Sequence, residues 1–262
     1  MRSQTIVAIN WLKQPLKIIL TVLMILLLLR YTLAATSWRD SEPGLDYQDL
    51  NHGYLTPWSH VHVFRINLSE HQLSLIMAKD LALKHASADE YAQHSQALIT
   101  INGGFLDRDY QPLGLRINNK QQQSPLKQIS WWGVFYIKNN KASISSVQQF
   151  NRDKQIEFAM QSGPRLLING HIPPLKPGRA ERSALGITNE GNIIILITDN
   201  APLSTLELAQ LMKGPPLNCV NALNLDGGSS SQLHADIGSF HLNVHGFSNV
   251  SDAIIVKAKK EH

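Results

Sequence analysis

Short apolar runs separated by polar or glycine-containing turns make up most of the chain beyond its N-terminal quarter. Residues 61–66 and 73–77 alternate apolar and polar side chains around a Ser-Glu-His turn, and this alternation predicts a β-hairpin. Residues 184–188 and 192–198 flank an Asn-Glu-Gly turn, so they predict a second hairpin. Residues 253–256 predict a strand close to the end of the chain.

Two segments have helical rather than strand character. Residues 80–96 are polar and alanine-rich, whereas residues 203–212 present an apolar face of leucines that Ser204 or Thr205 is placed to cap. Because strands are many and helices few, in mixed order, the pattern predicts an α+β fold with a mixed, largely antiparallel β-sheet core and a few packed helices. The remaining predicted strands are residues 97–101, 114–117, 131–137, 142–147, 158–160 and 166–168.

The N-terminal segment has the pattern of an export signal. Lys13 and Lys17 precede an apolar run over residues 18–29, and small residues follow that run. This order predicts a signal peptide within residues 1–35. If the signal is not cleaved, residues 16–33 would instead anchor the chain in the inner membrane. We therefore expect a periplasmic or exported protein, with or without that anchor.

The rest of the chain predicts a single domain. Residues 36–59 are rich in proline, glycine and polar side chains and predict a linker. Residues 60–258 have the length and hydrophobic content of one globular domain, and residues 259–262 form a polar tail. Cys219, the only cysteine in the sequence, lies in an apolar run, so we expect a buried core residue and no intramolecular disulfide.

The formal net charge of +4 comes from the N-terminal segment. Of the 24 basic residues, four lie in the first 30 positions, and the other 20 balance the 20 acidic residues. A nucleic-acid-binding domain would concentrate basic residues on one face or stripe, and no such cluster is present in the sequence. We therefore expect no nucleic-acid partner.

Three predicted strands end in polar, glycine-containing loops, at residues 102–105, 162–165 and 226–229. A fourth segment, residues 179–184, places two arginines directly before a strand. Binding and catalytic residues concentrate in loops that a rigid sheet positions. Asp226 is the first candidate, because an apolar run carries it into two glycines and three hydroxyls, and the N–H groups of such a turn can surround an anion.

Taken in order, these motifs resemble the phosphodiester glycosidase family, over roughly residues 60–257. The motifs are Asn-Gly-Gly-Phe at 102–105, Ser-Gly-Pro at 162–164, Arg-Ser-Ala-Leu-Gly at 182–186, Leu-Glu-Leu-Ala at 206–209, Asn-Ala-Leu-Asn-Leu-Asp-Gly-Gly-Ser-Ser at 221–230 and Val-Ser-Asp-Ala at 250–253. Two positions depart from the family pattern. Asp199 is followed by Asn200 and Ala201 where the family often has Gly-Arg, and Ser229 stands where a third glycine is usual.

The resemblance implies a hydrolase that cleaves the glycosyl–phosphate bond of a sugar-1-phosphate diester in an envelope or extracellular glycan. The phosphate monoester that leaves has a second pKa of about 6, so positive charge helps its departure more than proton donation does. Asp226, then Asp199, are the expected catalytic carboxylates, with Arg182 as the expected cation. The expected substrate-binding residues are Asn102, Gly103, Gly104, Ser162, Gly163, Arg165, Asn224, Gly227, Gly228 and Ser229.

Other interpretations of the same residues stay open at the level of sequence. Asp226 can serve only its own turn, and Arg182 can be a structural ion-pair partner of Glu181 or Asp226. The fold can also belong to a non-catalytic carbohydrate- or phosphoglycan-binding protein, or to a structural envelope protein. The sequence requires no cofactor, and a divalent cation held by Asp226 and Asp199 is an open alternative. The pair at residues 131–132 is either a sugar-stacking surface or core packing.

Overall fold

The computed structural model describes residues 17–25, 38–50 and 56–259, which divide into two units at residue 38. In the first unit, residues 17–25 are helical and belong to helix α1. Among the described residues, no helix is both long and apolar enough to cross a membrane. Most of the segment expected to be a signal peptide or anchor lies outside the described residues, so both alternatives stay predictions.

The second unit is built mainly from short strands. In chain order they are β1 (Arg39–Glu42), β2 (Leu45–Asp49), β3 (His60–Ile66), β4 (His71–Met77), β5 (Ile99–Asn102), β6 (Arg116–Asn118), β7 (Gln121–Ser124), β8 (Gly133–Lys138), β9 (Lys141–Ser146), β10 (Ile156–Ser162), β11 (Arg165–Leu167), β12 (Arg179–Ala180), β13 (Ser183–Thr188), β14 (Ile193–Asp199), β15 (Leu203–Ser204), β16 (Cys219–Asn224), β17 (Leu233–Ile237), β18 (Phe240–Val244) and β19 (Asp252–Ala258).

These strands form three larger sheets and one two-stranded ribbon. The seven-stranded sheet has the order β1-β2-β3-β14-β13-β16-β11. One five-stranded sheet has the order β18-β17-β5-β19-β4, the other has the order β7-β6-β10-β8-β9, and β12 pairs with β15. All the pairings between these strands are antiparallel. The structure therefore confirms the predicted α+β fold with its largely antiparallel core.

One hydrophobic core joins the three sheets. Phe64 and Leu185 contribute from the seven-stranded sheet, Ile101 from the sheet of β5, and Phe158 from the sheet of β10. All four side chains are fully or almost fully buried. The alternation along each strand supplies these inward-facing residues, since successive side chains of a strand point to opposite faces.

Two helices pack beside the sheets, and both begin with a capping box. Helix α2 (Ala88–Ser95) begins after Ser87, which accepts a hydrogen bond from the Glu90 N–H group. It is shorter than the predicted helix, because the chain leaves helical geometry at Ala82 and Ser87 supplies a new cap. Helix α3 (Thr205–Lys213) has Ser204 as its cap, so the second predicted helix is confirmed almost in full.

The structure overturns two of the sequence-based expectations for the N-terminal part of the domain. Strands β3 and β4 do not form a hairpin: β3 pairs with β2 and β14, whereas β4 pairs with β19 in another sheet. The edge of β3 is already occupied, because β2 pairs along it and the Asn67 N–H group donates to the Gly44 carbonyl at 2.8 Å. For the same reason residues 39–49, expected to be linker, are strands of the seven-stranded sheet, with Leu45 fully buried. The predicted β13–β14 hairpin is confirmed.

Candidate active site

The Asp226 carboxyl group is held at the end of a buried strand, inside its own glycine turn. Strand β16 ends at Asn224, and the fully buried Leu225 carries the chain to Asp226, which is half-buried. The Gly227 N–H group donates to Asp226 Oδ1 at 2.9 Å. Burial raises the pKa of Asp226 above its usual range, and the nearby charge of Asp252 adds to that rise. Hydrogen bonds from Ser230 and Gly227 and the charge of Arg116 oppose the rise without cancelling it.

Asn102 ties this loop to two other parts of the fold. Its Nδ2 donates to the Asp226 carbonyl at 2.9 Å, and its Oδ1 accepts from the Ser183 hydroxyl at 2.7 Å. The same Oδ1 also accepts from the Gln232 N–H group at 3.2 Å. Asn102 is completely buried, so its role in the structure is to fix the Asp226 loop rather than to contact a sugar directly.

Gly103 and Gly104 lie against a buried ion pair. The Gly103 N–H group donates to the Asp252 carbonyl at 2.9 Å, and the Asp226 N–H group donates to the Gly103 carbonyl at 3.3 Å. An ideal Cβ atom on Gly103 would lie 1.7 Å from Asp252 Oδ1, and one on Gly104 would lie 2.8 Å from Arg116 Nη2. Glycine is required at both positions because no side chain fits between the backbone and this ion pair.

The ion pair joins Arg116 of β6 to Asp252 of β19, and both side chains are fully buried. Arg116 Nε donates to Asp252 Oδ2 at 3.1 Å, and Arg116 Nη1 donates to the Gln161 carbonyl at 3.1 Å. Asp252 Oδ1 is buried and has no hydrogen-bond partner among the described residues. Neither residue was assigned a role from the sequence. The sequence signal for this pair is that Arg116 and Asp252 are charged residues within or beside apolar strands. The two positions are 136 residues apart.

Arg182 lies beside the Asp226 loop and has no carboxylate partner in the part of the chain that the structure describes. Its Cδ atom is 3.9 Å from an ideal Cβ atom on Gly227. Its Nε donates to the Leu203 carbonyl at 2.8 Å and its Nη2 to the Gly178 carbonyl at 2.7 Å. Burial lowers the pKa of Arg182. Among the described residues it forms no ion pair, so the structure does not support the alternative that Arg182 is an ion-pair partner of a neighbouring acid.

Ser162, Gly163 and Arg165 follow β10 and lie next to β16. Asn224 Nδ2 donates to the Gly163 carbonyl at 3.1 Å, and Arg165 pairs in register with Leu223. Burial lowers the pKa of Arg165, and its side chain makes no ion pair or hydrogen bond with the described residues. Ser162 Oγ and Asn224 Oδ1 are buried and have no hydrogen-bond partner among the residues that the structure describes. Within the described chain Arg165 is therefore an unpaired cation on the strand next to β16, and its side chain lies against Gly133, where an ideal Cβ atom would be 2.7 Å from Arg165 Cγ.

The glycine turn itself uses two of the N–H groups that were expected to face an anion. The Gly227 N–H group binds the Asp226 carboxylate, and the Gly228 N–H group donates to the Glu181 carbonyl at 2.8 Å. Gly228 adopts a φ of +63°, which favours glycine, and Ser229 at the tip is exposed. These two N–H groups are therefore already engaged within the protein in this conformation.

Asp199 lies apart from the contacts that surround Asp226. It ends β14 opposite His60, accepts a hydrogen bond from Asn200 at 2.9 Å, and acts electrostatically on His62. Among the described residues no hydrogen bond or ion pair links it to Asp226. The residues that the structure describes also contain no group of three or more His, Cys, Asp or Glu side chains arranged to hold a metal ion. The alternative of a cation shared by the two carboxylates has no support from this geometry.

Comparisons with known proteins identify the family and agree with the fold. Residues 95–257 match the phosphodiester glycosidase family, a range that contains Asn102, Asp226 and Asp252. The chain is 36% identical over 155 residues to the Escherichia coli (strain K12) protein named "Uncharacterized protein YigE". That match covers 55% of this chain and 60% of the relative, so it spans less than two thirds of the relative's length.

Solved structures share the fold. The catalytic domain of zebrafish N-acetylglucosamine-1-phosphodiester alpha-N-acetylglucosaminidase, auto-inhibited by its pro-peptide, matches with a TM-score of 0.64 and 18% identity, over 86% of this chain and 87% of that one. A hypothetical protein from Synechocystis matches with a TM-score of 0.62 and 19% identity, over 85% of this chain and 64% of that one. A putative exported protein from Burkholderia pseudomallei K96243 has a TM-score of 0.53 and 12% identity, over 76% and 74%. Because a family match over more than half of the sequence accompanies this fold, the chain belongs to the phosphodiester glycosidase family.

Proposed function

We propose that the protein is an exported hydrolase that cleaves the glycosyl–phosphate bond of a sugar-1-phosphate diester in an envelope or extracellular glycan. The observation that carries this proposal is the half-buried Asp226 carboxyl group, whose pKa is raised above its usual range at the end of β16. A raised pKa favours the protonated form of a carboxyl group, and that form can act as a general acid. Membership of a family of glycosidases supports the same reaction class.

In the proposed reaction, the bond between the anomeric carbon and the bridging oxygen breaks, and water supplies the new oxygen at that carbon. Asp226 gives its proton to the departing phosphate oxygen, and a proton of the attacking water restores the acid. The products are the free sugar and a phosphate monoester. Positive charge develops on the sugar in the transition state, whereas negative charge increases on the phosphate.

The two arginines would stabilise that phosphate. Arg182 lies beside Gly227 of the Asp226 loop, Arg165 lies on the strand next to β16, and neither is neutralised by a carboxylate of the described residues. Guanidinium groups hold phosphate oxygens through two parallel N–H bonds. The backbone carbonyls that bind Arg182 orient its guanidinium and leave its charge available. The Arg116–Asp252 pair is too buried to touch substrate, and it would act by holding Gly103 and the Asp226 loop in place.

The test is a hydrolysis assay of the purified protein on a panel of sugar-1-phosphate diesters, with and without chelator. Asp226→Asn is expected to lower turnover by about 10²–10⁴-fold, the usual effect of losing a general acid, while the circular dichroism spectrum is retained. Asp236→Asn is the matched control, because Asp236 is exposed and pairs only with His241. Unchanged turnover in Asp226→Asn would refute its role. Binding of diesters without turnover would favour a non-catalytic carbohydrate- or phosphoglycan-binding protein.

A further inference from the structure

The side chain of Phe247 projects into solvent next to the Asp226 loop. It is 94% exposed, although phenylalanine side chains usually avoid water. The Phe247 N–H group donates to the Ser229 carbonyl at 2.8 Å, and the Ser248 N–H group donates to the same carbonyl at 2.9 Å. Gln232 Nε2 also donates to the Ser248 carbonyl at 2.9 Å. The exposed ring is therefore fixed by its backbone to the tip of the glycine turn.

Trp131 is a second exposed ring, in the segment before β8, and its neighbour Trp132 contacts the loop of residues 162–165. It is 56% exposed, and it packs edge-on against Trp132, with 5.7 Å between the ring centroids. Trp132 is buried and stacks on Phe105, with 5.0 Å between the centroids. An ideal Cβ atom on Gly163 would lie 2.5 Å from Trp132 Cδ1, so this ring also presses on the loop that carries Arg165.

We propose that Trp131 and Phe247 are two sugar-binding platforms, Trp131 beside the loop of residues 162–165 and Phe247 beside the loop of residues 226–229, and that the substrate carries sugar rings on both sides of its phosphodiester. This inference rests on the proposed function. The apolar C–H face of a sugar ring packs on an aromatic face while its hydroxyl groups stay in contact with water. The phosphate charge would lie between the two rings, near Arg165 and Arg182.

The surroundings of the rings favour a sugar over a lipid. Phe247 stands among exposed polar neighbours in the chain: His245, Ser248 and Asn249. A membrane-binding surface needs a larger contiguous apolar area. The Phe247 ring is instead a single small surface, which suits the apolar face of a sugar. Because three hydrogen bonds already hold its loop, the loop loses little conformational freedom when the sugar binds.

The test measures binding in the full-length Asp226→Asn protein, so that turnover does not interfere. The short probe is the methyl diester of N-acetylglucosamine-1-phosphate, and the long probe carries maltotriose in place of the methyl group. We expect tighter binding of the long probe, and a loss of about fivefold or more when either Trp131→Ala or Phe247→Ala is added. Phe247→Trp should keep the affinity. Trp58→Ala, which removes another exposed ring, is the control.

Equal binding of the long probe by the parent and both alanine variants would overturn the proposal, as would no binding of that probe by the parent. Vesicles of phosphatidylethanolamine and phosphatidylglycerol provide a further arm. If Phe247→Ala loses binding to vesicles but keeps binding to the long probe, the ring is a membrane contact and the proposal fails.

If both alanine variants weaken binding yet the protein with Asp226 intact hydrolyses neither probe, the platforms stand and the proposed hydrolysis fails. If that protein hydrolyses both probes while the alanine variants bind them as the parent does, the hydrolysis stands and the platforms fail.

Discussion

At the scale of single residues, the site depends on how closely the backbone of Gly103 approaches Asp252. In the Asn-Gly-Gly motif, the backbone of the two glycines contacts the fully buried ion pair. At the same strand end, Asn102 holds the Asp226 loop by a hydrogen bond. A methyl group at residue 103 would have to displace the Asp252 carboxylate from Arg116. Breaking one side of a buried pair leaves a charge without compensation.

Gly103→Ala is therefore expected to lower the free energy of unfolding by about 3 kcal/mol or more, from steric strain together with disruption of the pair. Gly214→Ala is the matched control, because an ideal Cβ atom there meets nothing closer than 3.4 Å. It should change stability by about 1 kcal/mol or less. Urea denaturation of both variants measures the difference, and equal midpoints would show that the contact at Gly103 is relieved at little cost.

The sequence identifies part of this arrangement. Asn102 and Asp226 can both be identified as candidate site residues, because each follows an apolar run and is followed directly by two glycines. The structure joins the two residues by a hydrogen bond. Arg116 and Asp252 could not be paired, since no local pattern shows which of many charged residues meet across 136 positions. Asp199 has a carboxylate at a strand end as Asp226 does. The ends of β14 and β16 lie at the same sheet edge with β13 between them, and that arrangement is a property of the whole fold that no local pattern shows.

At the scale of elements, local pattern predicts a strand better than it predicts the partner of that strand. The sequence predicts strands at β3, β4, β13 and β14, and only the second pair forms a hairpin. Residues 39–49 look like a linker because polar, proline and glycine residues dominate there. They form strands because β2 pairs along the side of β3 that β14 does not use. That side exists only once the sheet has assembled.

Leu45→Ala tests whether these strands contribute to the core. Leu45 is fully buried opposite Ile66, so we expect a loss of about 2–5 kcal/mol in the free energy of unfolding. The control is Leu83→Ala, at a side chain that is 45% exposed, and it should change stability by about 0.5 kcal/mol or less. Thermal or urea unfolding separates the two outcomes. A loss in Leu45→Ala no larger than that of the control would mean that β1 and β2 add nothing to the fold.

At the scale of the whole molecule, acid stability is set by carboxylates whose pKa values are lowered in the folded state. Hydrogen bonds from Ser204, together with Arg179, lower the pKa of Glu207 to about 2. The Ser87 N–H group likewise lowers the pKa of Glu90. When the folded pKa is below the unfolded value, the unfolded chain binds more protons, so the stability is present above the unfolded value and is lost as the pH falls. Asp226, with its raised pKa, contributes in the opposite sense.

We expect the urea midpoint to fall as the pH is lowered from 4.5 toward about 2, the interval between the ordinary and folded pKa values of Glu207. Glu207→Gln should make this fall shallower, because glutamine can still cap α3 but does not titrate. Glu157→Gln is the control, since Glu157 caps no helix. If the two variants respond identically to acid, the capping carboxylate does not govern acid stability.

The hydrogen bonds of Asn102 have a consequence for the order of events during folding. Asn102 ends a strand of one five-stranded sheet, whereas its partner Ser183 begins a strand of the seven-stranded sheet. An intermediate in which each sheet has formed but the two have not docked contains nearly all the strands and still lacks this link. Such an intermediate would give a native-like far-ultraviolet spectrum without an organised acid at Asp226. Recovery of catalysis during refolding would therefore report the docking of the sheets, and would lag behind the recovery of secondary structure.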